Sequence, residues 1–367
     1  MNWADLHIAL VGPLPPPAGG MANQTRQLAE LLRGEGASVD IVQVNAPYRP
    51  VWVGGLKGVR AVFRLLPYLA TLWRRCGTAD LVHVMANSGW SWHLFAAPAV
   101  WVAVLRGKPV VVNYRGGEAD AFLQRAGGAV RATMRRTAGL LLPSGFLLEV
   151  FSRHGMAGRV VPNIVDLARF QPAPERGNDA PHLVVARNLE PIYGIDLALR
   201  AFARIAQALP GARLSVAGSG PLAPALMQLA GQLGIADQVR FTGRLDRDQM
   251  AALYRDADLS INPSHVDNMP NSVLESLASG VPVVSTRVGG VPYIVEHERT
   301  AMLVPPDDAE AMAAAALRVL TDRALAHQLR VAGLAEVRRY RWEVVKAELL
   351  AAYEDALGPV RPAPDPV

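Results

Sequence analysis

The chain has 367 residues, 51% of them hydrophobic, and a formal charge of +5. At roughly 150 residues per domain this predicts two domains, each with material for an ordinary core. A single cysteine, Cys76, excludes an intramolecular disulfide and a cysteine metal cluster and fits a reducing compartment. Met1 to Asp5 lacks the basic-then-apolar pattern of a signal peptide. The longest apolar run, around Leu94 to Leu105, is too short to span a bilayer and contains Pro98. A soluble or membrane-peripheral cytoplasmic protein is expected.

Short apolar runs alternate with helical stretches twice along the chain. In the first half, Leu6 to Gly12, Ala37 to Val44, Asp80 to Met85, Pro109 to Tyr114 and Gly139 to Ser144 read as strands. The intervals are long enough for crossover helices, the pattern of a parallel sheet covered on both faces. Charge is uneven here. No acid lies between Asp40 and Asp80, whereas Arg49, Lys57, Arg60, Arg64, Arg74 and Arg75 do. Such a patch suits phosphates, acidic lipid head groups or nucleic acid. Within Lys57 to Arg75, Val59, Val62, Leu66, Leu69 and Trp73 recur at helical spacing, with Lys57, Arg60 and Arg64 on another face. That helix either packs in the core with a solvated basic face or docks on anionic lipid; Pro67 interrupts its middle.

From Val161 to Pro181 the rhythm breaks at Pro162, Pro172, Pro174, Gly177 and Pro181, which predicts an interdomain linker. The boundaries expected are 1–165 for the first domain, 166–181 for the linker and 182–340 for the second domain. A closing helix is expected over about 341–357, and a disordered Pro-rich tail over 358–367. In the second half, His182 to Arg187, Arg213 to Gly218, Gln238 to Gly243, Asp258 to Pro263 and Val281 to Thr286 read as strands, and Ile195 to Leu209 as a helix. Doubly wound domains of this kind form ligand sites at the carboxyl ends of their strands.

The strongest local signal is Asn262 to Thr286, "NPSHVDNMPNSVLESLASGVPVVST". A strand ends at Pro263 and a polar turn carries His265, Asp267 and Asn268. Asn268 is expected to cap the next helix, with Pro270 in its first turn; Gly280 stops that helix. A helix start beside strand ends offers unpaired N–H groups and partial positive charge to a phosphate. Glu275 lies one turn inside, where a carboxylate can accept two hydrogen bonds from a ribose diol, and Asp267 can face a sugar. Taken alone, the two carboxylates could equally be solvated surface acids.

This segment resembles the donor-binding signature of the family 4 retaining glycosyltransferases: a carboxylate, seven residues, then a Glu on a helix followed by A-x-G-x-P-V-V-x-T. Here it is Asp267, seven residues, Glu275, "ASGVPVVST" and "VGGVPYIV". "GPLPPPAGGMANQTRQLAELLRGEG" resembles the family's first loop and helix, "VVPNIVDLARFQP" its linker and "YRWEVVKAELLAAYEDAL" its closing helix. The resemblance covers nearly the whole chain. It implies an α/β GT-B fold: two Rossmann-like, doubly wound parallel-sheet domains facing a cleft, with the C-terminal helix returning to the first domain. It also implies metal-independent, retaining transfer of a sugar from a nucleotide-diphosphate sugar to a hydroxyl. By the resemblance Glu275 holds the donor ribose, Asp267 meets the sugar hydroxyls, and the backbone of Asn268, Met269 and Pro270 supports sugar and phosphate. Gly19 and Gly20, after the first strand, let backbone approach a diphosphate; otherwise they form a flexible turn after Pro15, Pro16 and Pro17.

Three positions depart from the family's pattern. Arg187 matches the family's Arg, but Tyr193 occupies the place of its Lys and brings no charge to the leaving diphosphate. Arg115 stands about where many members carry a His; being always protonated it cannot act as a base, but it can hold phosphate or acceptor, with Glu118 as a polar neighbour. Asp267 replaces Glu, shortening the reach. No protein nucleophile is required for retention, so positioning and charge stabilisation carry the expected chemistry, with Arg187, Asp267, Glu275 and Arg115 as its catalytic candidates.

"GSGP" at Gly218 to Pro221 lacks the third glycine of a dinucleotide fingerprint. The eight histidines, His83, His93 and His265 among them, show no metal-ligand spacing. His83 reads as a core or cleft-edge residue, and His265 as a possible neighbour of the donor. No metal or cofactor is expected, and no nucleic acid, since no aromatic–basic recognition motif accompanies the charge. The expected partners are a nucleotide-sugar, a saccharide or lipid-linked acceptor and an anionic membrane surface reached through Lys57 to Arg75, at the inner face of the cell membrane. Two competing expectations are a GT-B-shaped nucleotide-sugar-binding or scaffold subunit with little turnover, and a nucleotide-sugar epimerase.

Overall fold

Runs of apolar residues too short for helices become two parallel sheets. The computed structural model describes residues 2–16, 19–48, 52, 55, 60–174 and 180–358. Arg49, Lys57, Val59, Pro17, Gly177 and the tail 359–367 lie outside the described residues. Residues 1–162 with 343–367 form one unit and residues 163–342 a second.

The first unit holds β1 (His7–Gly12), β2 (Ser38–Gln43), β3 (Leu81–Ala86), β4 (Val110–Tyr114), β5 (Gly139–Leu142) and β6 (Arg159–Val160), in the order β2-β1-β3-β4-β5-β6. Every pairing is parallel. All residues of β3 and β4 are buried, as strands covered on both faces must be. The crossovers carry α1 (Gly20–Gly34), α2 (Arg60–Thr78), α3 (Ala97–Leu105), α4 (Ala119–Met134) and α5 (Gly145–Arg153). In α2, Tyr68, Leu72 and Cys76, spaced four apart, are the buried anchors. Leu66 and Trp73, expected on the same apolar face as Leu69, are exposed instead. The sequence pattern merged two stripes because α2 is apolar on both.

The second unit holds β7 (His182–Ala186), β8 (Arg213–Ala217), β9 (Val239–Gly243), β10 (Leu259–Asn262), β11 (Val283–Thr286) and β12 (Met302–Val304), in the order β12-β11-β10-β7-β8-β9. Its helices are α6 (Ile195–Ala208), α7 (Ala223–Gln232), α8 (Arg247–Arg255), α9 (Asn271–Ala278), α10 (Ala309–Thr321) and α11 (Arg323–Val337). The two strands not expected, β6 and β12, have two and three residues, too few to show a pattern. Asn163 to Phe170 carry no strand or helix, but Ile164, Val165 and Phe170 are buried, and Val165 and Phe170 belong to the second unit's core. This part of the Pro-containing segment is therefore packed. In each sheet the order reverses where the chain returns past its first strand: between β1 and β3, and between β7 and β10. Loops splay apart there, and a ligand finds its crevice.

The last helix, α12 (Trp342–Leu357), returns to the first unit, as the resemblance implied. The hydroxyl of Tyr353 hydrogen-bonds Nδ1 of the buried His83 on β3 at 2.7 Å, and Trp3 packs edge-on against the Tyr353 ring. Lys346 pairs with Glu35 at 2.8 Å and Arg159 with Asp355 at 2.6 Å. Burial, helped by the charge of Arg115, pushes His83 down to about 3, so it is a neutral core histidine. Tyr353→Phe strands a buried ring nitrogen at a cost of about 1–3 kcal/mol. The first unit should then melt several degrees lower in a thermal scan; an unaltered melting temperature would refute a stabilising role for this contact.

No described helix is long and apolar enough to cross a membrane.

Candidate functional site

In the second unit, β7 and β10 are sheet neighbours although about 75 residues apart in the chain. Their carboxyl ends therefore bring Arg187, the residue after β7, beside the loop after β10. Arg187 Nε donates to Asn262 Oδ1 at 2.8 Å. Its NH2 pairs with Asp267 Oδ2. Its guanidinium lies over the ring of Tyr193, 5.1 Å from the centroid. Burial pushes the Arg187 pKa down, while Tyr193, Tyr254 and Glu275 oppose the shift. One cation is thus held on three sides by a neutral amide, a carboxylate and an aromatic face.

Beneath it, Asn262 is the hub. Its amide nitrogen donates to Ser285 Oγ at 2.9 Å, and its Oδ1 accepts both from Arg187 and from Ser264 Oγ at 3.1 Å. Thr286 Oγ1 donates to the Ser264 carbonyl at 2.5 Å. Buried polar groups left unpaired are costly, so a fully bonded set of this kind fixes one loop conformation. The β7–α6 loop locks onto it through the His265 N–H, which donates to the Ile192 carbonyl at 2.9 Å. Gly194 makes that approach possible. Its φ is +58°, and a Cβ there would lie 2.3 Å from the Pro263 carbonyl oxygen. Gly218, φ +155°, does the same for β8: a Cβ would collide with the Arg187 carbonyl. The "GSGP" glycines are thus packing devices, Gly218 against the Arg187 backbone and Gly220 against that of Leu189.

Asn268 does not cap α9. Pro270 occupies the N-cap position, no side chain caps the helix, and the buried Asn268 donates its own N–H to Asp267 Oδ1 at 3.1 Å. Proline, with φ −66°, is preorganised to enter a helix, so the entry angle is set without a polar cap. The loop is tied instead by Asn163, whose Nδ2 donates to the Met269 carbonyl at 2.9 Å and to Asn271 Oδ1 at 2.8 Å, while its N–H meets Met269 Sδ at 3.2 Å. Gly280 ends the helix with φ +68°.

Glu275 is half-buried, one turn into α9. Loss of water pushes its pKa up to about 7, with Arg247 and then Arg187 pulling it back. Two cations therefore stand near this carboxylate. Arg247 opens α8 and also reaches Asp166 at 3.4 Å. Tyr254, fully buried, shares the same pocket of charge. Asp267 is not a solvated acid: it is 8% exposed and committed to Arg187. His265 is committed to Asp307, 2.9 Å away.

Gly19, Gly20 and Arg115 belong to the first unit. Gly19 precedes α1 in extended backbone and nothing lies within 4 Å of the Cβ it lacks, so the position is open. Gly20 is the first residue of α1, where N–H groups lack helical partners. Arg115 follows β4 and donates its N–H to the Ala86 carbonyl at 2.9 Å. Burial pushes its pKa down to about 10. Glu118 is exposed at the N-cap of α4. Of the sequence candidates, the structure brings together Arg187, Tyr193, Asp267 and Glu275, with Asn268, Met269 and Pro270 forming the loop between the last two. Asn262, Asn163 and Arg247 were not anticipated. The "VVPNIVD" stretch held a signal for Asn163; Asn262 and Arg247 carried none, because their roles depend on strand order.

No group of three or more His, Cys, Asp or Glu suited to a metal ion occurs among the described residues. A cavity of about 530 Å³ opens at the opposite ends of the strands, lined by Pro181, Asp258, Pro282, Arg323 and His327 among others. None of the residues gathered at the switch point, Arg187, Asp267 and Glu275, lines it.

A family model described as glycosyl transferases group 1 matches residues 180–322, and one described as Glycosyltransferase Family 4 matches residues 18–169. A D-inositol 3-phosphate glycosyltransferase of Segniliparus rotundus is 29% identical, the match covering 93% of this chain and 85% of that protein. A GDP-mannose-dependent alpha-(1-6)-phosphatidylinositol monomannoside mannosyltransferase of Mycobacterium tuberculosis is 32% identical over 52% of this chain, and this match spans about half of that protein, 54%. Sucrose-phosphate synthase of Thermosynechococcus elongatus superposes with a TM-score of 0.77 at 21% identity, covering 95% of this chain and 98% of that one. Anabaena HepE in complex with UDP gives 0.72 at 16% identity, covering 95% and 99%. These likenesses show a GT-B fold of two parallel-sheet units.

Proposed function

Because the chain belongs to the family 4, group 1 glycosyltransferases, we propose that it moves a sugar from a nucleotide-diphosphate sugar to a hydroxyl acceptor with retention and without a metal. The observation that carries this reading is the cluster of Arg187, Asp267 and Glu275 at the β7/β10 switch point, beside the uncapped start of α9. Glu275 accepts the ribose hydroxyls. Arg187 and the α9 N–H groups face the diphosphate. In the transfer, the bond from the anomeric carbon to the diphosphate oxygen breaks, the bond to the acceptor oxygen forms on the same face, and the acceptor's proton passes to the leaving diphosphate. The names of relatives acting on inositol phosphate and phosphatidylinositol mannoside support a phosphorylated or lipid-borne acceptor, and Arg115 is the residue we propose to hold it. The setting is cell-surface polysaccharide or glycolipid synthesis at the cytoplasmic face of a membrane.

The alternative, a binding or scaffold subunit, is favoured by Tyr193 where a second cation is usual. Its ring stacks on Arg187, which supports a positioning role in place of a charge. Release of nucleotide from UDP-, GDP- and ADP-sugars, without acceptor and with chelator, separates the readings. The transferase hydrolyses one donor slowly and Glu275→Ala does not. Binding without release would leave the scaffold standing, and interconversion of the sugar without release would mean an epimerase.

A further inference from the structure

We infer that the first unit docks on an anionic lipid surface through the exposed face shared by α2 and α3. The face goes beyond the Lys57–Arg75 stretch, because its apolar centre spans two helices. On α2, Phe63, Leu66 and Trp73 are 41%, 62% and 46% exposed, on the side away from the buried Tyr68, Leu72 and Cys76. On α3, Trp101 and Leu105, one turn apart, are 41% and 72% exposed. The two helices pack together. Arg106, just past α3, crosses to α2 and lies 4.8 Å above the Trp73 ring; Arg136 lies 5.8 Å from the Trp101 ring.

Charge decides the occupant. From residue 41 to residue 117 there are nine Lys and Arg and one acid, Asp80, whose carboxylate already accepts the His7 N–H at 2.8 Å. An apolar centre flanked by Arg106 and Arg136 suits a surface with hydrocarbon below and negative head groups above, where tryptophan settles at the boundary. A second copy of this chain fits poorly: a two-fold contact would set this positive face against itself. The second unit, by contrast, exposes no tryptophan among its described residues. The docking face deepens the lipid-acceptor part of the proposed function and rests on it for its purpose; the physical attraction does not depend on sugar transfer.

Flotation of the full chain with vesicles of phosphatidylcholine, alone and mixed with phosphatidylglycerol, tests the inference. The protein should float with the mixed vesicles only, less so as salt rises, and tryptophan emission should shift to shorter wavelength on binding. The double variant Leu66→Glu and Leu105→Glu, at exposed positions that leave thermal unfolding unchanged, should lose binding by roughly tenfold or more. Failure to bind mixed vesicles, equal binding to neutral ones, or full binding by the variant overturns the inference. So does concentration-dependent self-association that the variant abolishes in place of vesicle binding. Nucleotide release measured on the same samples keeps the two readings apart. Release without flotation sinks the docking face alone, and flotation without release sinks the transferase alone.

Discussion

Arg187→Ala is expected to lower stability by about 3–5 kcal/mol and to reduce turnover on the order of a hundredfold to a thousandfold. Two different physical losses lie behind these figures. The first is structural. Asp267 is 8% exposed, and removing its partner strands a buried carboxylate, while Asn262 loses one of its bonds and the Tyr193 ring its cation. The second is chemical: in the proposed transfer, a fixed positive charge at the end of β7 disappears from beside the leaving diphosphate. A double-mutant cycle separates them. Arg187→Ala with Asp267→Ala removes both charges, so much of the stability should return while turnover stays low. Recovery of both would make the pair a purely structural ion pair. Retained turnover in the single variant would remove Arg187 from the chemistry. Arg187→Lys should fall between, since lysine keeps the charge but cannot serve Asn262 and Asp267 at once through a planar fork.

The sheets were legible because ten of the twelve strands fall in apolar runs bounded by turn residues. The carboxylate pair on the β10–α9 segment was legible too, since its spacing is local. Pairings that depend on strand order were not. Arg187 and Asn262 are 75 residues apart and meet only because β10 lies beside β7. Asn163 and Met269 are separated by 106. The start of α9 was misread for a different reason. Asn268 is a good N-cap by type, but Pro270 two residues later already enforces the entry angle, and Asn268 turns inward. In α2 the periodicity was real but ambiguous. Hydrophobic spacing marks a face without saying whether that face meets the core or something outside, and only burial distinguishes Leu72 from Leu66.

Donor binding should strengthen as pH rises through about 7 and become flat above it, and Glu275→Gln should bind weakly at every pH. The ordinary glutamate value is 4.5; desolvation on α9 raises Glu275 to about 7. A raised carboxyl favours the protonated form of the folded protein. This group's contribution to stability is therefore full below 4.5 and is lost as pH rises through 7. The ligand pulls the other way. A ribose diol donates two O–H groups, and an ionised carboxylate can accept both, whereas the acid must spend one oxygen on its own proton. Below the raised value, each pH unit should weaken donor binding by about tenfold, as the ionised fraction falls, and binding near pH 6 should release a proton. A nucleotide-diphosphate sugar carries no group that titrates in this window, so the slope belongs to the protein. Calorimetric titrations between pH 5.5 and 8.5, in buffers of different ionisation enthalpy, read affinity and proton release together. A wild-type profile with no slope, or a Glu275→Gln profile with the same slope, would place the ribose elsewhere. The predicted slope, with proton release confined to the wild type, would assign the ribose to Glu275 and make donor capture a process that ionises the site.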